Sequence, residues 1–272
     1  MTQQEYDKLK TVQMEIMDVI HDLCVKHNIK YYIIGGTLLG AVRHGGFIPW
    51  DIDIDIAMPR TDYTKFKEVC RTELKEGYKY RDHTTNKKYY RPHALVCKEN
   101  TELYAKYDLD NKRYDNFGIY IDIFPLDNAP DSQEDRNAHI KQIEGFKKFK
   151  RFRIPYVYSH SLTKKLLYKF IMLLLCWYPE KKVNVKYHQI LQKYNSIETN
   201  CLCSMSSGYP YYKQCMSRNI YGVPTLMKFE SREYYAPEKP HEYLSQLYGD
   251  YMKLPPEEKR QANFEIFTHV KF

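Results

Sequence analysis

The seven cysteines (Cys24, Cys70, Cys97, Cys176, Cys201, Cys203, Cys215) are odd in number and contain no C-x-x-C pair. That argues against a disulfide framework and against a paired-cysteine zinc site. No basic-then-apolar signal segment opens the chain, so the thiols point to a reducing, cytoplasmic compartment. Long apolar runs are missing too. The longest, Phe170–Tyr178, has nine residues, against the roughly 20 that cross a bilayer. Only 11 Gly and 13 Pro interrupt 272 residues, with no repeat or low-complexity tract, which argues against disorder. Acidic residues are scarce in one place, for residues 146–200 hold 12 Lys or Arg against Glu180 and Glu198 alone.

What is present suits a globular enzyme-sized chain: 43% hydrophobic and 28% charged residues, enough to bury a sizeable core. The formal charge of +8 comes from the basic segment, the rest being close to neutral. Such asymmetry points to an anionic partner. Residues 146–153 interleave cations with aromatics, and Lys164, Lys165 and Lys169 precede the apolar run. Residues 146–178 are therefore expected to meet an anionic membrane surface, the alternative being a core helix with a solvated rim. No nucleic-acid motif accompanies the charge, and nucleic acid is not an expected partner.

Leu9, Val12, Ile16, Val19, Ile20 and Leu23 recur at helical steps and predict a helix over 5–27. A strand over 30–34 runs into Gly35-Gly36-Thr37, read as a turn before a helix from Leu38 to His44. Trp50 to Met58 reads as a second strand, followed by a helix over 61–75. Further strands are expected at Ala94–Cys97 and Ile119–Phe124, the latter closed by Pro125 with Asp127 in the turn beyond. Helices are predicted over 132–153, 162–177, 181–194 and 257–267.

In Trp50-Asp51-Ile52-Asp53-Ile54-Asp55-Ile56 a period of two puts three aspartates on one face and three isoleucines on the other. Stacked like charges on a strand repel, so a cation is expected against them unless the face is merely solvated. Mg²⁺ takes carboxylate oxygens and leaves positions for phosphate, which suits phosphoryl transfer. The glycines just upstream add backbone N–H donors for phosphate at a helix start. Asp122, in Ile119-Tyr-Ile-Asp-Ile-Phe124, is a further candidate from a neighbouring strand.

The run Gly35-Gly36-Thr-Leu-Leu-Gly-Ala-Val-Arg43-His44-Gly-Gly-Phe-Ile-Pro49-Trp50-Asp51-x-Asp53-Ile-Asp55 resembles the signature of the LicD family of phosphocholine transferases, related to the fukutin group. Ile121-Asp122-Ile-Phe-Pro-Leu-Asp127 resembles its second motif, and Tyr248-Gly-Asp-Tyr-Met-Lys-Leu-Pro255-Pro256 its C-terminal one. Where many bacterial members read Asp-Asp-Asp, this chain has Asp51-Ile52-Asp53; the change falls opposite the acids. The resemblance implies an α+β fold, a nucleotidyltransferase-like small mixed sheet flanked by helices. It also implies transfer of phosphocholine, or a similar substituent, from a CDP-linked donor such as CDP-choline to a hydroxyl of a cell-envelope glycan, lipopolysaccharide or teichoic acid, with release of CMP.

By matching position, the resemblance makes Asp53, Asp55 and Asp122 ligands of Mg²⁺ or Mn²⁺, while Asp51 either orients the acceptor hydroxyl or shares the metal. Gly35, Gly36, Thr37, Arg43 and Lys98 are the candidate phosphate contacts; His44 is read as a structural hydrogen-bonding residue. A catalytic core over 1–130, a basic helical segment over 131–200 and a C-terminal part over 201–272 packed on the core complete the expectation. The acceptor would be a lipid-linked glycan, met at the inner membrane face. The rival readings are a nucleotidyltransferase using a nucleoside triphosphate on a small acceptor, and a non-catalytic protein that binds an anionic surface.

Overall fold

Helix α1 (Gln3–Lys26) starts where Thr2 caps it. Thr2 Oγ1 accepts from the Glu5 N–H and the Glu5 carboxylate accepts from the Thr2 N–H, so two of the orphan donors of the first turn are satisfied reciprocally. The helical stripe read from the sequence is its buried face, with Leu9, Ile16 and Ile20 fully enclosed. That face packs on strand β6 (Ile119–Ala129), the centre of the molecule.

The computed structural model describes residues 1–85, 89, 91–105, 117–152, 162–175, 180–260 and 267–272. Among them the chain forms an α+β fold on a seven-stranded mixed sheet. Its main path runs β1 (Tyr32–Ile33), β2 (Asp55–Pro59), β6, β4 (Ala94–Lys98), β3 (Tyr78–Arg81). Strands β7 (Cys201–Cys203) and β8 (Cys215–Ser217) extend it from the far end of β6. The β2–β6 pair is parallel, and the other pairs of this sheet are antiparallel. Strand β5 (Glu102–Ala105) pairs with β11 (Phe267–Lys271), and β9 (Thr225–Phe229) with β10 (Arg232–Ala236). The helices are α2 (Gly35–His44), α3 (Arg60–Glu73), α4 (Gln133–Phe152), α5 (Leu162–Leu175), α6 (Glu180–Leu191), α7 (Tyr211–Gln214), α8 (Arg218–Tyr221) and α9 (Pro240–Tyr248). One core reaches from Tyr6 on α1 to Leu247 on α9, and a smaller cluster joins Ile143 and Leu191 to Cys203 and Cys215.

Four expectations need correction. Gly35 and Gly36 are not a turn ahead of a helix but the first turn of α2 itself. The strand expected from Trp50 begins only at Asp55: β1 pairs no further than Ile56, and although β6 reaches back to Ile119, its ladder with β2 starts at Asp55–Asp122, with the Asp122 N–H donating to the Ile54 carbonyl just ahead of it. Strand β6 does not close at Pro125: it continues to Ala129, with Asp127 a buried strand residue and not a turn residue. Proline is tolerated there because β4 last pairs at Ile123 and β7 first pairs at Asp127, so no ladder on that side requires the missing N–H. Finally, the expected helix over 257–267 is a single 3₁₀ turn, Glu257–Lys259, with Phe267 already in β11 and residues 261–266 outside those described.

Candidate active site

The alternation read over residues 51–56 holds even where no ladder forms. Ile52, Ile54 and Ile56 are 7, 1 and 0% exposed, while Asp51, Asp53 and Asp55 open onto one cavity of about 470 Å³. For Asp51 and Asp53, ladder pairing is therefore not what aims the acids; the buried isoleucines are, while Asp55 is also held in the ladder with β6. Asp55 is further fixed by its own backbone, whose N–H donates to Thr37 Oγ1 at 2.8 Å.

The first turn of α2 lies against these carboxylates. Gly35 starts the helix at φ +57°, a left-handed value that favours glycine. A methyl group on Gly36 would sit 3.0 Å from Asp51 Oδ2, so the absence of a side chain lets the aspartate approach the helix start. The N-cap residue Ile34 has no capping side chain, although the Gly35 N–H donates to Tyr243 Oη at 3.4 Å, so the end is a positive dipole terminus facing the acids.

Asp122 is the ladder partner of Asp55 across the parallel β2–β6 pair, which puts both side chains on the same face. Two cationic or polar neighbours missed in the sequence hold it. Arg91 Nη1 donates to Asp122 Oδ1 at 2.9 Å and Oδ2 at 3.3 Å, and His93 Nε2 lies 2.9 Å from Oδ1. Arg91 Nη2 also donates to Tyr120 Oη at 2.7 Å, with its guanidinium 4.5 Å from that ring centre. Arg91 and His93 immediately precede β4; their position at a strand entry next to a buried acid was the only signal available.

The electrostatics separate the acids. Asp53 is open to the cavity, yet desolvation by the protein crowded around it, then the charge of Asp55 and then that of Asp51 push its carboxyl above the usual carboxylate range. Burial and the charge of Asp122 do the same to Asp55. Asp122 goes the other way: burial opposes its charge, but Arg91 and His93 outweigh it and hold its pKa below the usual value. The face thus carries a partly uncompensated negative field at Asp53 and Asp55, beside one carboxylate that already has its cation.

The rest of the cavity comes from far along the chain. Tyr209, Tyr248, Asp250, Tyr251, Lys253 and Pro255 line it with Arg43 and Trp50. Tyr209 Oη donates to Tyr248 Oη at 3.0 Å, their rings edge to face at 5.7 Å. Arg43 Nη1 donates to the Tyr251 carbonyl at 2.9 Å and Nε to His44 Nε2 at 3.0 Å. His44 in turn packs edge-on against Trp50, in keeping with a structural role. Of the expected phosphate contacts, the structure brings Gly36 and Arg43 to the cavity, with Gly35 and Thr37 beside its acids. It does not bring Lys98. That residue stands at the opposite end of β4 from Ala94, paired with Glu15 of α1.

The carboxylates test the expected metal. Among the described residues no group of three His, Cys, Asp or Glu side chains converges on one ion position, and Asp122 is engaged by Arg91. Asp53 and Asp55 nevertheless fit a Mg²⁺ site, since Mg²⁺ is commonly held by one or two carboxylates with water and substrate phosphate completing its octahedron.

A mixed sheet with acidic residues beside a glycine-started helix agrees with the nucleotidyltransferase-type domain expected of a phosphotransferase. The chain belongs to the LicD/FKTN/FKRP family, whose nucleotidyltransferase-domain model matches residues 28–170. It is 29% identical over 258 residues to the lipopolysaccharide cholinephosphotransferase LicD of Haemophilus influenzae, covering 93% of each chain. An uncharacterised protein of Rickettsia prowazekii is 35% identical over 116 residues, 41% of this chain and 44% of that one. The human ribitol 5-phosphate transferase FKRP is 53% identical over 45 residues, 16% of this chain and 9% of that one.

Proposed function

We propose that the protein transfers phosphocholine from CDP-choline to a hydroxyl of a cell-envelope glycan, releasing CMP. The observation that carries this reading is the convergence of Asp51, Asp53 and Asp55 with a wall of Trp50, Tyr209, Tyr248 and Tyr251 on one cavity. Aromatic faces attract a quaternary ammonium, and carboxylates beside a helix start suit a phosphate bridged by a cation. The named activity of the Haemophilus relative supports the choline cargo and a lipopolysaccharide-type acceptor.

In this reading Asp53 and Asp55 hold Mg²⁺ or Mn²⁺, which when bound neutralises charge on the transferring phosphoryl group. Asp122, clamped by Arg91, keeps Asp55 aligned through the paired strands. Asp51 accepts the proton of the acceptor hydroxyl, whose oxygen forms the new bond to the phosphorus bearing choline while the bond to the CMP oxygen breaks in line. Arg43 and Lys253 contact donor phosphates, and the first turn of α2 offers N–H donors to the same groups. The acceptor is carried on lipid at the inner membrane face, where the enzyme works as a cytoplasmic protein.

A screen of CDP-choline, CDP-ribitol, CDP-glycerol and CTP with Mg²⁺, read by chromatography of released nucleotide, tests the reading without an acceptor. Slow CMP release from CDP-choline is the expected result. Pyrophosphate from CTP, with no CMP from any diphosphate donor, would overturn it in favour of nucleotidyl transfer.

A further inference from the structure

Helix α5 carries Leu166, Leu167, Phe170 and Leu174 at positions i, i+1, i+4 and i+8, and these are 65, 56, 60 and 53% exposed. That spacing is the apolar stripe of a helix that buries one face. On α1 the same kind of stripe is enclosed by the sheet; on α5 it faces outward. Residues this large and this apolar, gathered on one face, mark an interaction surface.

We propose that this face of α5 docks on an anionic lipid bilayer, with the helix lying in the interfacial plane. Charge selects the occupant. The stripe sits within residues 146–200, whose 12 Lys or Arg meet only two acids, and Lys169 of α5 and Lys148 of α4 are exposed. A second copy of the chain would bring two such basic segments together, whereas anionic headgroups neutralise them while the acyl boundary takes the leucines. Length selects the mode. The 14 residues of α5 extend about 21 Å, short of the ~30 Å hydrocarbon core, and no helix among the described residues is long and apolar enough to cross a membrane. The inference deepens the proposed reaction by bringing the cavity to a lipid-borne acceptor, and rests on that reading for its purpose though not for its physics.

Cosedimentation of the full chain with vesicles of phosphatidylcholine alone, or mixed with phosphatidylglycerol, tests it. The wild type is expected to sediment with the mixed vesicles and to remain in solution with the neutral ones, and added salt should weaken binding. The double variant L167E/L174E should lose at least about tenfold in partition, with an unchanged circular dichroism spectrum and unchanged CMP release from CDP-choline. K148E/K169E should bind more weakly, with a flatter salt dependence. A wild type left in the supernatant with anionic vesicles overturns the proposal, as does an L167E/L174E variant that sediments like wild type. So does a concentration-dependent dimer that this variant abolishes in sedimentation velocity, which would make the occupant a second copy. Vesicle binding without donor turnover would support the docking and overturn the transfer reaction; turnover without vesicle binding would do the reverse.

Discussion

At the scale of single residues, the acidic face is arranged against its own stability. Asp53 and Asp55 have raised pKa values because desolvation by the surrounding protein and neighbouring carboxylates disfavour their charged forms. A carboxyl whose folded pKa lies above its unfolded one binds protons more readily in the native state. In the metal-free protein its contribution to stability is therefore favourable at low pH and is lost as pH rises from the ordinary carboxylate range through the raised pKa. Asp53→Asn removes that burden: the metal-free variant is expected to melt at a higher temperature than wild type at neutral pH, with a weaker decline as pH rises. Its kcat should fall by at least about 100-fold, which calorimetry and the CMP assay would record side by side. A variant that melts lower and turns over normally would contradict the assignment. The period-two pattern made these aspartates legible in the sequence, because burial of Ile52, Ile54 and Ile56 depends only on alternation. Arg91 and His93 were not legible: they approach Asp122 from an irregular stretch, and alternation tells which face a side chain takes, not what meets it there.

At the scale of elements, the glycine-started helix and strand β6 do the positioning. Replacing a helical glycine with alanine ordinarily stabilises by about 0.5–1 kcal/mol. At Gly36 the added methyl meets Asp51 Oδ2 at 3.0 Å, so Gly36→Ala is expected to keep or raise the melting temperature while lowering kcat at least about tenfold. A normal kcat in a well-folded variant would show that Asp51 need not approach the helix start. Strand β6 is held at its far end by Arg60, which donates to both oxygens of Asp127 at 2.7 Å, and by Asn195 Nδ2 at 2.6 Å. The sequence suggested a turn here because Pro125, Asp127 and Asn128 are turn-formers locally. Tertiary pairing overrode that preference: Pro125 falls where β6 exchanges β4 for β7, and Asp127 finds a buried cation. The reach of β2 was illegible for a related reason, since periodicity shows which face a residue takes and not where pairing with a neighbouring strand begins.

At the scale of the whole molecule, the cavity is assembled from two distant stretches, residues 36–55 and 209–255. Their ordered motifs could be read along the chain, and family membership bears out the resemblance they carried. Their meeting could not be read, because it depends on α9 packing against α2, which brings Tyr248 Oη within 3.9 Å of where a side chain on Gly35 would begin. That closure gives the acids an aromatic wall and encloses a cavity over them. The exposed stripe of α5 is the counterpart on the outside: its helical period was legible, its orientation was not.

In the proposed reaction the Asp53–Asp55 pair takes a divalent ion together with a CDP-linked donor. Isothermal titration of CDP-choline into the full chain, with and without Mg²⁺, tests it most directly. Donor affinity should rise at least about tenfold with Mg²⁺ in the wild type, and Asp53→Asn/Asp55→Asn should abolish that dependence while remaining folded. Equal affinity with and without Mg²⁺, or an unaltered Mg²⁺ effect in the double variant, would show that these carboxylates hold no ion for the donor.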